Sequence, residues 1–233
     1  MSSLTLDRSR YDADLLARVA AGWQRLADDE RHGVRGAAHV AGDLAALEAP
    51  PALLALAAHV VQDEVHHLEV CARVLDELEP GARPAPRIEL ALGGARGSAA
   101  NEAALARRLV ADFALGKPVT AAAFAAARAR VREPLFAWAY TELLHDETRH
   151  ATFGAKAAAW VIRHWSARQR QALWTDCLTA SATVGESFLR DAEAESLGLL
   201  PGDVDRTLPR WIIPHLTPLG LQARPANTQA LVH

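Results

Sequence analysis

Two stretches of the chain, QDEVHH at residues 62–67 and HDETRH at residues 145–150, carry the same Asp-Glu-x-x-His pattern. On a helix, residues three apart lie on one face about a turn apart, so Glu64 with His67, and Glu147 with His150, could each chelate an ion. A carboxylate oxygen beside an imidazole nitrogen suits iron or manganese with open coordination positions, and imidazole also admits zinc. A lone Glu-x-x-His is commonly a solvated pair on a surface helix. Two copies in register, each preceded by Asp, point to ligation instead. Asp63 and Asp146 have a role in that reading, because a metal-bound histidine usually donates its other ring N–H to a carboxylate that fixes its orientation. The alternative is that each Asp is simply exposed beside its Glu.

For the two pairs to act together, the chain must bring their helices face to face. Apolar residues such as Leu16, Val19, Trp23, Leu26, Val40 and Leu44 recur at helical spacing and predict a first helix from about Asp12 to Leu47, ended by EAPP. Pro51 opens a second helix that runs to about Leu78, since proline is tolerated in a first turn. Residues 79–99, rich in Gly, Pro and Arg, read as a long connection. A third helix is expected over about Ala100–Val131, kinked or broken where Pro118 follows Gly116 and Lys117. A fourth spans about Pro134–His164. Ser166 is a candidate N-cap for a fifth that reaches about Glu195, and the remainder reads as a short helix with a docking tail. Shifting the second helix by 83 positions lays Pro51 on Pro134, Asp63 on Asp146, Glu64 on Glu147 and His67 on His150. The chain is therefore two similar helical hairpins, and pairing them predicts an all-α four-helix bundle with one Glu-x-x-His entering its centre from each half.

Composition agrees with this and removes other classes. Half of the 233 residues are apolar, with alanine and leucine dominant and β-branched residues sparse, which suits a single helical domain over 1–233, with the bundle at about 12–165 and a C-terminal extension at about 166–233. A formal charge of −3 gives no reason to expect nucleic acid as a partner. Only Cys71 and Cys177 carry thiols, which suggests a reducing compartment. With no evident membrane span and no apolar secretory stretch in MSSLTLDRSRYDAD, a cytoplasmic location is expected.

DETRH at 146–150 and DEVHH at 63–67 resemble the paired elements of the ferritin-like di-iron carboxylate superfamily, which includes ferritins, rubrerythrins and non-haem di-iron oxygenases. ADDERHGVRGAAHV and EAPPALL are similar to the first helix and following turn of bacterial ferritin-like-domain proteins, so the resemblance covers about residues 20–165. It implies that Glu30 is the first-helix carboxylate ligand, the alternative being that Glu30 belongs to a solvated run, DDER. The third helix departs from the family, which carries a glutamate there, whereas this chain has none between Glu102 and Glu133. Asp112 and Lys117 stand in the window. Against the internal repeat, Asp112 is off by one residue, and Lys117 lies one turn nearer the loop on a similar face. Four carboxylates, Glu30, Glu64, Asp112 and Glu147, would balance two divalent ions; if Lys117 points in and Asp112 out, three carboxylates and one ammonium balance one. Asp112 is taken as the ligand, with Lys117 close by.

The resemblance implies two bound iron ions, with manganese or a single ion as alternatives, and an O₂-dependent oxidase or oxygenase acting on a small organic molecule. Lys117 and Tyr140 are the candidate catalytic groups beside the metal ligands, Tyr140 because it lies two turns from Glu147 on the same face; a buried tyrosine with a satisfied hydroxyl is the alternative. The electron donor is not identified, and a homodimer is allowed. Two other functions are compatible with the same residues: ferroxidase chemistry in iron handling, and a non-catalytic helical domain that keeps a degenerate site.

Overall fold

The computed structural model describes residues 4–81, 101–182, 192–201 and 219, and among them the chain is helical with no strand. Helix α1 (Ala13–Ala46) starts where the Asp12 side chain accepts hydrogen bonds from the amides of Asp14 and Leu15. It ends in a left-handed turn at Glu48 (φ 56°), with the Ala49 amide reaching back to the Leu44 carbonyl and the Glu48 amide to that of Ala45. Helix α2 (Pro51–Leu78) begins on the expected proline and packs along α1. A short α3 (Glu102–Arg108) is capped by Asn101 and runs into a π-helical segment, Leu109–Gly116, which hands over to α4 (Lys117–Arg130). Helix α5 (Pro134–Val161) packs on the π segment, on α4 and on α2. Helix α6 (Ala167–Ala182) opens with the Ser166–Gln169 capping box, and α7 (Ala192–Leu197) lies against α1 and α4. The connection at 82–100 and most of the expected C-terminal docking tail lie outside the described residues.

The expected break at Pro118 is located differently from the sequence reading. Pro118 sits in the first turn of α4, and the irregularity lies before it, in the π segment. Counting that segment as helix, Glu102–Arg130 is long and apolar enough to cross a membrane, a stretch the sequence reading did not single out. Its large side chains Leu105, Leu109, Phe113, Leu115 and Phe124 are buried in the core of the fold.

That core is in two parts. One contains Leu44, Val60, Leu109, Phe113, Phe153 and Trp174. The other contains Trp23, Val74, Phe124, Phe136, Tyr140 and Leu143. Each long helical stretch passes through both, and the order shows the direction of travel. Helix α1 goes from the Trp23 part to the Leu44 part and α2 returns; α3–π–α4 starts at the Leu44 part, and α5 returns to it. Neighbouring stretches are thus antiparallel within each hairpin and across α2–α5, while α2 and α3–π–α4 run in the same direction.

The π segment is held against α5 at Gly154. A β-carbon at that position would lie 2.4 Å from Phe113 Cβ, 2.7 Å from the Ala114 amide nitrogen and 2.9 Å from the Leu109 carbonyl oxygen. Two of those neighbours are backbone, which cannot swing aside. Gly154→Ala is therefore expected to destabilise the fold by about 1–3 kcal/mol, the usual cost of overpacking a filled core, read as a lower midpoint in urea unfolding followed by circular dichroism.

Candidate metal centre

Between the two apolar parts lies one polar layer, and each long helical stretch supplies it at the point where it crosses from one part to the other. Helix α1 contributes Glu30, α2 contributes Glu64 and His67, α4 contributes Lys117, and α5 contributes Glu147 and His150. The side chains of Glu64, His67, Glu147 and His150 are sealed from solvent, and Glu30 is 5% exposed. His67 Nδ1 lies 3.4 Å from Glu30 Oε2, and His150 Nδ1 lies 3.1 Å from Glu64 Oε1 and 3.9 Å from Glu147 Oε2. The two imidazole rings are 5.6 Å apart between centroids. Lys117 Nζ sits 2.7 Å from Glu64 Oε1 and 3.4 Å from Glu147 Oε1.

The donor set fits a metal ion on three counts. Glu64 Oε2, Glu147 Oε2 and both ring nitrogens of His67 are buried without a hydrogen-bond partner, a condition native interiors seldom leave uncompensated. Glu30, Glu64 and His67 each offer a ligand atom within 4.8 Å of the others, so this buried group could hold a metal ion. Finally, α1 has Gly33 facing the site: a β-carbon there would lie 2.2 Å from Glu64 Oε2, so the missing side chain is what lets that carboxylate lie against α1.

Charge in the layer is arranged around Lys117. Burial opposes its ammonium, yet the carboxylates of Glu147, Glu64 and Glu30 outweigh that effect and hold it well above the usual lysine range. Burial likewise pushes the Glu64 carboxyl up, but Lys117 and His150 prevail and keep it far below the ordinary glutamate value. At Glu147 burial wins over Lys117 and His150, and the carboxyl is raised. His150 Nε2 is 3.0 Å from Asp63 Oδ2, leaving Nδ1 turned inward. Burial disfavours the imidazolium, but the hydrogen bonds to Asp63 and Glu64 pull its pKa up to about 9. Asp63 is itself lowered: burial raises it, and the bonds from His150 and Arg149 more than offset this.

Several assignments made from the sequence are altered here. Asp112 is not in the layer. It is exposed on the π segment, where partial desolvation raises its carboxyl and Arg108 is the charge acting to lower it, and it lies near enough to Cys177 of α6 to affect that thiol. Position 113, as far before Pro134 as Glu30 is before Pro51, is a phenylalanine packed edge-on against Phe153 at 5.6 Å. The carboxylate expected from the third helix is thus replaced by the Lys117 ammonium. Tyr140 is not a group of the site either: its hydroxyl donates to the Gly198 carbonyl at 2.8 Å, which also accepts from Trp23 Nε1 at 2.9 Å, so it fastens the chain after α7 to the core. Asp63 supports His150 across the α2–α5 contact, but Asp146 does not do the same for His67. Asp146 instead accepts from Arg149 Nη2 at 2.5 Å and contacts His145 Nδ1 at 2.7 Å.

Arg149 and Gly33 were not singled out by the sequence reading. Arg149 bonds both Asp63 and Asp146, tying the repeated aspartates together through one guanidinium. Its place inside DETRH was a signal, since it is the residue before His150 at which the two copies of the repeat differ. Gly33, three residues after Glu30, could have been flagged as a close approach, but nothing in the sequence says to what.

No protein-family model, curated protein or solved structure matches the chain.

In metal-free protein the raised pKa of His150 makes stability depend on pH in one direction. The imidazolium is favoured in the folded state, so its contribution is complete below the unfolded value of about 6.5 and is lost as pH rises through about 9. Unfolding free energy in the presence of EDTA is expected to decline by up to about 3 kcal/mol over that range, and Asp63→Asn should flatten the decline. Denaturant titrations at a series of pH values measure both.

Proposed function

We propose that this protein is a ferritin-like four-helix-bundle metalloprotein that binds iron and uses O₂ to oxidise a small organic molecule. The observation that carries the reading is the layer of buried Glu and His donors, partnerless in several atoms and sealed between two apolar cores. The order of the helices supports it. A hairpin, a crossing to the opposite end and a second hairpin is the order expected of ferritin-like bundles with one long crossover, whose metal sites draw a Glu-x-x-His from each of two helices and a carboxylate from each of the others. Here α1 has that carboxylate in Glu30 and α4 has Lys117 instead.

Glu30, Glu64 and His67 would hold the ion, with Glu147 and His150 facing it from α5. Reduced iron on carboxylate and imidazole ligands has open positions for O₂ and supplies electrons to it. The chain's own part is to orient and to exclude. Asp63 fixes the His150 ring so that Nδ1 faces inward. The leucine, phenylalanine and tryptophan side chains on both sides keep bulk water from the layer. Lys117 keeps Glu64 ionised, and an ionised carboxylate is the form that ligates.

Protein produced in iron-supplemented medium and purified without chelator should carry iron measurable by mass spectrometry of the elements, and after anaerobic reduction it should consume O₂. His67→Ala should lose most of the metal while its helical circular dichroism is kept, because a ligand is removed rather than packing. A parent protein that takes up neither iron nor manganese would end the reading.

A further inference from the structure

The polar layer has two unlike halves. In one, His67 Nδ1 and Glu30 Oε2 face each other at 3.4 Å, Glu64 completes a three-donor group, and Glu64 Oε2 and His67 Nδ1 have no hydrogen-bond partner. Among the described residues no lysine or arginine forms an ion pair with Glu30. In the other half a cation is already present. Lys117 Nζ rests against Glu64 Oε1 at 2.7 Å and Glu147 Oε1 at 3.4 Å, and His150 Nδ1 approaches the same Glu64 oxygen at 3.1 Å. The opposite oxygen of Glu64, lying by Gly33, belongs to the first half.

We infer that the centre takes a single divalent ion, held by Glu30, Glu64 and His67, and that the Lys117 ammonium stands where a second ion would meet Glu64 and Glu147. The inference rests on the metal reading above and narrows it. With the His150 imidazole and the Asp63 carboxylate counted together as a neutral pair, the three carboxylates Glu30, Glu64 and Glu147 against one ammonium leave two negative charges, which one divalent ion neutralises. A second ion would leave the sealed layer with excess positive charge and would have to displace Nζ from both carboxylates. Asp112, the remaining acidic candidate on the third stretch, lies beside Arg108 and Cys177 and contributes nothing to the layer's balance.

The side chain of Lys117 is fixed in this place by its backbone. Lys117 is the first residue of the regular helix α4, and the π segment ends at Gly116. A β-carbon at Gly116 would lie 3.1 Å from the Ala111 carbonyl oxygen, so the glycine leaves that carbonyl uncrowded where the segment passes into α4. The lysine is therefore part of the folded layer and 14% exposed, not a surface group folded in by chance.

The test uses Mn²⁺ as the probe on full-length, chelator-stripped protein, counting bound ions after gel filtration and recording electron paramagnetic resonance. The parent is expected to hold one Mn²⁺ per chain with the six-line spectrum of an isolated ion. Lys117→Glu should hold two, with the spectrum of a coupled pair replacing the six lines. Glu30→Gln should lose the parent's ion at least tenfold in affinity, whereas Glu147→Gln should keep it within about threefold. Two ions in the parent, or one ion still in a folded Lys117→Glu, would overturn the inference and leave the metal reading standing. So would an ion that survives Glu30→Gln and is lost in Glu147→Gln, a comparison that decides the matter even if Lys117→Glu does not fold. A parent that binds neither Mn²⁺ nor iron removes the metal reading itself, and this inference with it.

Discussion

Glutamates 30, 64 and 147 are carried into the interior by three different helices, and without a countercharge their ionised forms would not tolerate it. Lys117 is the countercharge that the chain brings with it. Its ammonium touches two of the three carboxylates, and its field reaches the third. The rest of the layer follows from that contact. Glu64 stays ionised and turns one oxygen to the lysine and the other to α1, His150 can present Nδ1 to the first of these oxygens, and His67 is left facing Glu30 with donors unused. An internal cation of this kind offsets the buried carboxylates between the two hairpins without any metal.

The π segment serves the same contact. In an α-helix that ran unbroken from Asn101 to Arg130, the residues at the level of the layer would follow a single register. The wider turn of the π segment shifts that register within one element, so Phe113 faces the apolar part, Asp112 faces α6, and Lys117 starts a fresh helix aimed at the carboxylates. Gly154 on α5 gives the segment room. The conformation costs backbone regularity there, and the gain is a lysine where a regular helix with this sequence would have placed something else.

Tyr140 and Trp23 do work of a different kind. Both reach the carbonyl of Gly198, whose φ of 137° is a conformation that glycine adopts freely, and a β-carbon there would strike the Phe136 ring. The chain after α7 is thereby fastened across α1 and α5 at the end of the Trp23 core. That contact joins a late segment of the sequence to the helices that carry Glu30 and Glu147, and Ala194 and Leu197 of α7 are buried in the same core.

Local rules were enough for much of this. The start of α2 at Pro51 and of α5 at Pro134, the Ser166 cap and the helical class all follow from side-chain chemistry acting within a few residues, and the sequence states them. The repeat of Asp-Glu-x-x-His likewise fixes which helical faces Glu64, His67, Glu147 and His150 share, because three-residue spacing has one geometric meaning on a helix. The choice between Asp112 and Lys117 was of another sort: it turned on a π segment whose register is set by packing on Gly154 and Phe153 of a helix some forty residues away. Asp63 and Asp146 are identical in the repeat, yet Asp63 meets His150 and Arg149 of the opposite helix, whereas Asp146 meets His145 and Arg149 of its own. Tyr140 could not be assigned for the same reason, since its partner is a backbone carbonyl 58 residues further on. Spacing along one helix is a property of the sequence, whereas the partner across a helix interface is decided only when the helices pack.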